Sequence, residues 1–229
     1  MNRTKIEYLN YTTNPIVGCS GIGCAVAKHC WAYRTAKRHV NCDCCVSFVP
    51  HVHWERFDDF LKVKKPSRIG VAFMGEFFDK EISNWVRKDY YMHMLGAPQH
   101  RFIIFTKQPQ NIDDEPLPPN LSIGVSVNRK EDLWRIDRLR EITCQCRIVS
   151  FEPLYEHVDA DLSSIDWIII GAQKRPDLQP KQEWVHSLMQ YARVFGAKIF
   201  LKNNLQPCPV MNRIQEYPKA LSSEAVLSA

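Results

Sequence analysis

Short apolar runs rich in β-branched and aromatic residues recur along most of this chain of 229 residues. They lie at residues 69–74, 102–105, 121–127, 147–151, 167–171 and 198–201, with a shorter run at 16–17 before them. Near-continuous apolar runs are typical of strands buried on both faces, and separations of about 20 to 30 residues suit the strand–helix units of a parallel sheet. We therefore predict an α/β fold, a partial parallel (β/α) barrel of about seven strands.

The segments between these runs complete the predicted organisation. Helix-compatible spacing of apolar residues occurs at 24–38, 55–61, 83–95, 130–141 and 183–195, and the proline-rich segment 112–120 is predicted to be a loop. A chain of this length suits one hydrophobic core. We predict a single domain over residues 1–216, with a cysteine-rich insertion at 19–45, followed by a flexible tail at 217–229, which is rich in small and polar residues.

Charge and cysteine content limit the cellular setting. The formal net charge of +5 suits an anionic partner. Residues 1–11 are polar, unlike a signal peptide, and no apolar run reaches the roughly 18 residues of a membrane span. We therefore expect a cytoplasmic protein with no membrane partner. In that reducing compartment, nine cysteines favour thiolate ligands over disulfides.

Three cysteines form the first candidate metal site. Cys19, Cys24 and Cys30 follow the pattern C-x4-C-x5-C directly after the first predicted strand, and Gly21 and Gly23 let the backbone wrap closely. Iron–sulfur clusters are held by thiolates that converge from such loops, and three thiolates on a 4Fe-4S cluster leave one iron open. The spacing is longer than the common C-x3-C-x2-C, so a metal other than iron stays open.

A second cysteine set follows. Cys42 and Cys45 form a C-x2-C pair with Cys44 between them, and His51 and His53 come shortly after. Such a pair with two further ligands makes a tetrahedral zinc site or holds an auxiliary iron–sulfur cluster. Two alternatives stay open: the pair supplies ligands to the first centre, or these thiols bind nothing. The two histidines are as well suited to helix capping or to contact with a substrate as to binding a metal.

Polar residues follow the predicted strands. In parallel α/β folds, functional sites form beyond the carboxyl ends of the strands. Helix caps and surface ion pairs explain single members of the set equally well. The candidate residues at these ends are Glu76, Lys107, Ser126, Asn128, Glu152, Gln173 and Lys202.

Several motifs together resemble a known family. Asn14-Pro15, Gly18-Cys19, Cys24 and Cys30-Trp31-Ala32-Tyr33-Arg34 are similar to the opening of phage and archaeal three-Cys-motif, radical-SAM-like proteins of unassigned function, the phage gene product 37 and gene product 68 group. The similarity covers nearly the whole chain. It continues at residues 50–56, 65–69, 74–78, 98–102, 105–109, 124–127, 150–154, 166–171 and 200–202.

This resemblance implies a specific chemistry. It implies a 4Fe-4S cluster on Cys19, Cys24 and Cys30, S-adenosylmethionine at the open iron, and an electron donor such as flavodoxin or ferredoxin. In such enzymes S-adenosylmethionine is cleaved to a 5′-deoxyadenosyl radical, which abstracts hydrogen from the substrate. The basic balance and the strand-end lysines favour a nucleic acid or nucleotide as that substrate.

The resemblance also implies roles for the strand-end residues. It places Glu76 at the amino group of S-adenosylmethionine, and makes Lys107 and Lys202 candidates for contact with a carboxylate or phosphate. Glu76, Lys107, Glu152 and Lys202 are thus the candidate catalytic residues. The candidates for binding the cofactor's methionine and ribose moieties are Ser126, Asn128 and Glu152, with Gln173 at the next strand end.

Two functions of other classes remain open. One is a non-catalytic, zinc-stabilised module that binds nucleic acid or protein. The other is a sensor of redox state or iron that uses the cluster without catalysis.

Overall fold

A computed structural model describes residues 1–113, 115–206 and 214–222 of the chain and places most strands in one sheet. The strands are β1 (Asn2–Arg3), β2 (Tyr11–Thr13), β3 (Ile16–Val17), β4 (His51–Val52), β5 (Arg68–Val71), β6 (Arg101–Thr106), β7 (Leu121–Ser126), β8 (Arg147–Phe151), β9 (Trp167–Ile170), β10 (Gln173–Lys174), β11 (Asp177–Leu178) and β12 (Lys198–Leu201). The α-helices are α1 (Trp31–Ala36), α2 (Asp43–Ser47), α3 (Asn84–Leu95), α4 (Trp134–Glu141) and α5 (Gln182–Phe195).

The main sheet has the order β1-β2-β5-β6-β7-β8-β9-β12. From β2 to β12 all neighbours pair in parallel, and β1 adds an antiparallel edge. These seven parallel strands curl into a half-barrel. The predicted partial barrel of about seven strands is therefore confirmed.

The first predicted strand is wrong in its position. Ile16 and Val17 pair antiparallel with His51 and Val52 in a separate small hairpin, and Tyr11–Thr13 is the first parallel strand of the sheet. Ile16 and Val17 are apolar because they are buried, not because they belong to the barrel. The true first strand lies near the sheet edge and is only partly buried, so its sequence forms no apolar run.

Two apolar layers cover the faces of the sheet. On one face α3, α4 and α5 pack against the alternate strand residues that include Ile104, Val149 and Ile168. On the opposite face, Tyr8 packs edge-to-face against Trp167 and Phe200, with ring centroids 5.7 Å away in both pairs. Residues that precede the first strand, such as Tyr8, thus help to fill the inside of the half-barrel.

The helix predictions hold for three segments and fail for two. Helices α3, α4 and α5 occupy the segments predicted at 83–95, 130–141 and 183–195, with a 3-10 turn before α4. The segment 24–38 contains only a 3-10 turn and α1, because the backbone of Cys30 is not helical (φ −58°, ψ 116°) and its sulfur caps α1. The segment 55–61 forms two 3-10 turns, whose buried Phe57 and Phe60 are three residues apart.

No helix within the described ranges is both long and apolar enough to cross a lipid bilayer. Residues 217–222, the first part of the predicted flexible tail, contact the sheet. The ring of Tyr217 lies 5.4 Å from that of Trp167 with the two planes tilted by 39°, and Leu221 is fully buried on the inner face. Residues 217–222 are held because these apolar side chains close the bottom of the half-barrel. Residues 223–229, the rest of the predicted tail, lie outside the described residues.

Candidate functional site

Gly18 brings the start of the cysteine loop, residues 19–30, directly against neighbouring backbone. Its φ is +88°, and a Cβ at this position would lie 2.1 Å from the carbonyl oxygen of Val49. Its N–H donates to the carbonyl of Met74 at 3.1 Å, and its own carbonyl accepts from the N–H of Glu76 at 3.0 Å. Only glycine tolerates both the torsion and the close approach. The cysteine loop therefore starts beside the segment that follows β5.

Two buried charged side chains then anchor the loop over the strand ends. The Asp79 carboxylate is fully buried and accepts from the N–H of Ser20 at 2.8 Å. On α4, the buried Arg135 guanidinium donates to the carbonyls of Gly23 and Ser126, both at 2.7 Å. Because Ser126 ends β7 and Asp79 lies beyond β5, the cysteine loop spans the carboxyl ends of the middle strands.

The three thiols of the loop are available as ligands. Cys19, Cys24 and Cys30 are all partly buried and none of them forms a disulfide. The Cys19 sulfur accepts from the N–H of Gly21 at 3.2 Å, and the Cys30 sulfur from the N–H of Tyr33 at 3.4 Å. Backbone N–H groups aimed at sulfur stabilise negative charge on it, as they do around iron–sulfur clusters.

The surroundings of Cys19 disfavour an uncompensated thiolate. Burial, with further contributions from Glu76 and Asp79, outweighs the Gly21 hydrogen bond and raises the pKa of Cys19 to about 12. The compact group of metal-ligating atoms found among the described residues does not include the three loop cysteines.

Glu76 lies buried beneath this loop. Its carboxylate accepts from the Thr106 hydroxyl at 2.6 Å and from the backbone N–H groups of Lys107 at 2.9 Å and Phe78 at 3.2 Å. Burial raises the pKa of Glu76, and these donors oppose the shift. The carboxylate thus ties the ends of β5 and β6 together, and it contributes negative potential next to Cys19.

Glu152 and Lys202 form an ion pair at the ends of β8 and β12. The Lys202 ammonium and the Glu152 carboxylate are 2.7 Å apart, and the Ser150 hydroxyl donates to Glu152 at 3.1 Å. Burial lowers the pKa of Lys202, but the ion pair with Glu152 outweighs it and the net shift is upward. Gly171 leaves room for both side chains, since a Cβ there would lie 2.8 Å from the Glu152 carboxylate. This pair supplies both signs of charge at the mouth of the half-barrel.

A compact Cys2His2 group is formed by residues that follow the cysteine loop in the sequence. The ligand atoms of Cys42, Cys45, His51 and His53 all lie within 4.8 Å of one another, an arrangement that suits a bound metal ion. The Cys45 sulfur is 3.3 Å from the Nε2 atoms of both histidines, and the Cys42 sulfur is 3.6 Å from that of His51. The two Nε2 atoms are 2.9 Å apart.

Local structure brings these four residues together. Cys42 is the N-cap of α2, and its sulfur accepts from the N–H of Cys45 at 3.4 Å, so both sulfurs sit at the same helix end. The hairpin of β3 and β4 carries His51, and His53 follows it. Burial and the contact with Cys42 raise the pKa of Cys45 to about 11.

Residues 3–215 match a protein family described as "Protein of unknown function (DUF5131)". The chain belongs to the DUF5131 family. A family without an assigned function agrees with the resemblance noted in the sequence. Comparison with curated proteins finds no match for this DUF5131 chain.

Among solved structures, the DUF5131 chain is similar to one described as "Spore photoproduct lyase complexed with dinucleoside spore photoproduct". The TM-score is 0.57 at 12% sequence identity, over 88% of this chain and 79% of the lyase chain. At this identity the similarity concerns the fold. It extends over most of the half-barrel.

The structure places the predicted strand-end residues of the DUF5131 chain in separate groups. The Glu76 carboxylate accepts a hydrogen bond from the backbone N–H of Lys107, and Glu152 forms an ion pair with the Lys202 side chain. The Ser126 carbonyl is taken by Arg135.

Asn128 and Gln173 are held by other protein groups. Asn128 is fully buried and donates to the carbonyl of Pro153 at 2.7 Å, so it fixes the loop after β8. Gln173 accepts from the hydroxyl of Tyr155 and donates to the carbonyl of Pro176.

Arg135, whose guanidinium holds the cysteine loop through the carbonyl of Gly23, was not identified from the sequence. Arg135 lies in a polar helix with Arg138 and Arg140, and nothing in the local pattern distinguishes it from these two less buried arginines. Its burial becomes visible only when α4 and the cysteine loop are in place. Asp132, which pairs with Arg135 at 3.0 Å, is hidden in the same way.

Proposed function

We propose that this protein is a radical-SAM-like iron–sulfur enzyme that holds a 4Fe-4S cluster on Cys19, Cys24 and Cys30 and binds S-adenosylmethionine. When bound, the reduced cluster supplies the electron that cleaves S-adenosylmethionine to a 5′-deoxyadenosyl radical for hydrogen abstraction. The proposal includes kinship with the phage and archaeal three-Cys-motif proteins, a cytoplasmic location and an electron donor such as flavodoxin or ferredoxin.

One observation carries the proposal: the cysteine loop is anchored over the carboxyl ends of a parallel half-barrel. Arg135 and Asp79 hold the loop there through its backbone, which leaves the three thiols without covalent partners. The donor set fits a cluster, because three thiolates from a glycine-containing loop are what such a cluster uses when one iron stays open. Active sites of parallel barrels lie at this end of the strands.

The remaining roles fall to the strand-end groups. Glu76 places a buried carboxylate beside the loop, the position proposed for the amino group of S-adenosylmethionine. Glu152 and Lys202 lie on strands further around the half-barrel, and Lys202 is suited to a carboxylate or phosphate once it leaves its partner. The net charge of +5 and the dinucleoside bound by the similar lyase both favour a nucleic acid or nucleotide as substrate.

The test is anaerobic reconstitution with iron and sulfide, followed by metal analysis and visible absorption. We expect about four irons and four sulfides per chain, and formation of 5′-deoxyadenosine from S-adenosylmethionine under dithionite. Variants C19S, C24S and C30S should lose the iron. The exposed Cys44 offers a matched control, and C44S should retain it. A colourless protein without iron after reconstitution would overturn the proposal.

A second candidate function is a non-catalytic, metal-stabilised module that binds nucleic acid or protein. Two observations favour it: the compact Cys2His2 group, and a Glu76 carboxylate whose oxygens already accept protein hydrogen bonds. The same reconstitution separates the two functions. The module predicts no cleavage of S-adenosylmethionine and, for a nucleic-acid partner, binding that weakens steeply with salt.

A further inference from the structure

We propose that Cys42, Cys45, His51 and His53 bind one zinc ion, and that this ion braces the backbone from which the cysteine loop departs. The site shares no ligand with the cluster proposed above. It stands whether or not the protein is a radical enzyme.

Three separations between sulfur and nitrogen atoms in this group are close to those around a single tetrahedral ion. With bonds of about 2.3 Å to sulfur and about 2.0–2.1 Å to nitrogen, tetrahedral zinc sets its ligands about 3.3–3.8 Å apart. Cys45 and the two histidine Nε2 atoms are separated by 3.3 Å, and Cys42 and His51 by 3.6 Å. The two nitrogens are closer, at 2.9 Å. All four atoms lie within 4.8 Å of one another, so one ion reaches them once the ligand atoms shift by up to about 1 Å.

Hydrogen bonds on the far side of each ring fix the form of the histidines. His51 Nδ1 donates to the carbonyl of Val49 at 2.8 Å, and His53 Nδ1 donates to the Glu55 carboxylate at 2.9 Å. Because a carbonyl or carboxylate oxygen accepts, the proton of each neutral ring lies on Nδ1. Both Nε2 lone pairs then face each other at 2.9 Å. Such an arrangement is repulsive without a cation and typical of metal-bound histidine.

The ligand set and its arrangement favour zinc over an iron–sulfur cluster. A tetrahedral site of two sulfurs and two nitrogens is characteristic of zinc or of an iron–sulfur centre. In a two-iron cluster with mixed ligands, the histidines share one iron and the cysteines the other. Here Cys45 is equally close to both histidines, so sulfur and nitrogen converge on the same point.

Charge and access also suit zinc. Two thiolates neutralise a divalent ion, so that no net charge is left beside the almost fully buried Cys45. A cavity of about 280 Å³ opens onto Cys42, Cys45 and His53 and gives a hydrated ion access. Four protein ligands fill a tetrahedron, which is the mark of a structural rather than a catalytic zinc site.

The position of the site shows what the ion braces. Cys45 packs with Val17 and Ala36, which belong to β3 and α1, the elements on either side of the cysteine loop. One residue beyond α2, the carbonyl of Phe48 accepts from the N–H of Cys19 at 3.2 Å. The ion thus joins α2 to the β3–β4 hairpin, and that joint holds the backbone of the first loop cysteine.

The experiment is elemental analysis of the full-length protein produced in medium that contains both zinc and iron. We expect about one zinc ion per chain in the wild type and in C44S, and its loss in C42S and H53A. Cys44 lies between the two proposed cysteine ligands but is exposed and outside the group, so C44S controls for general thiol loss. Zinc retained in both C42S and H53A would overturn the proposal.

A measurement on the wild-type protein decides the matter where C42S or H53A does not fold. Cobalt exchanged into the site should give the visible bands of a tetrahedral ion with sulfur-to-metal charge transfer. Iron with sulfide at these residues, or no metal in well-folded protein, would contradict the proposal. A C19S/C24S/C30S variant separates the two centres, because it should lose iron and keep zinc.

Discussion

The backbone N–H of Cys19 donates to the carbonyl of Phe48 at 3.2 Å. This bond joins the two cysteine-rich segments of the chain: Cys19 opens the cysteine loop, and Phe48 follows the helix that carries Cys42 and Cys45. The two segments are 29 residues apart in sequence at this contact (48 minus 19). Their contact joins the backbones that carry the two proposed metal sites.

Gly18 tests how tightly that contact constrains the backbone. G18A places a Cβ 2.1 Å from the Val49 carbonyl oxygen, in addition to the strain of a positive φ. G21A has a comparable φ of +73° but no neighbouring atom within 4 Å. Strain alone costs about 1–2 kcal/mol, so we expect G21A to lose about that much and G18A to lose clearly more. Chemical denaturation of both variants measures the difference; equal losses would show that the close approach is not rigid.

Arg135 tests the anchoring of the cysteine loop. R135K keeps the charge beside Asp132 but cannot donate to Gly23 and Ser126 together. We expect a moderate loss of stability, about 1–3 kcal/mol from the carbonyls left without a donor, and faster loss of iron from the reconstituted protein. Iron release to a chelator measures the second effect.

The control for this substitution lies on the same side of the barrel. Arg129 is more exposed than Arg135, and its ion pair is with the neighbouring Glu131. R129K should therefore change neither stability nor iron release. If R135K released iron at the wild-type rate, the loop would not depend on Arg135.

Much of the fold follows from the sequence, and the exceptions have physical causes. The strands β5, β6, β7, β8, β9 and β12 were predictable because both of their faces are largely buried, which makes them mainly apolar. The strand Tyr11–Thr13 was not predicted, because a partly buried strand does not need an apolar run. Ile16 and Val17 were wrongly assigned to the barrel, because residues buried in a hairpin and residues buried in a barrel both form apolar runs in the sequence.

The proposed metal ligands and the side chains that support them divide in a similar way. The spacing of Cys42 and Cys45 indicated a ligand pair, but the roles of His51 and His53 depended on where a hairpin turns. Arg135 and Asp132 gave no signal, since only their burial under the cysteine loop distinguishes them from surface charges. Local patterns predict ligands that are close in sequence; they do not predict the side chains that support them from another element.

Acid should weaken the attachment of the last described segment. Arg193 on α5 holds the Glu216 carboxylate with two bonds, at 2.7 and 2.9 Å, and this pairing lowers the pKa of Glu216. A lowered carboxyl pKa adds stability above the ordinary value of 4.5, and this gain is lost as the pH falls through the folded value. Because both groups are partly exposed, we expect only about 0.5–1 kcal/mol.

E216Q is the variant that isolates this contribution. It should be less stable than the wild type at pH 7, and the two should converge as the pH falls below 4.5. Denaturation at a series of pH values measures the gap. A gap that persists unchanged into acid would assign the effect to packing rather than to charge.

The central claim is that three thiols at the mouth of a parallel half-barrel hold an iron–sulfur cluster. Its most direct test is the iron and sulfide content of anaerobically reconstituted protein, compared with C19S, C24S, C30S and the control C44S. The account predicts about four irons and four sulfides per chain in the wild type and in C44S, and their loss in the other three. Equal iron content in all five proteins, or none in any, would contradict it.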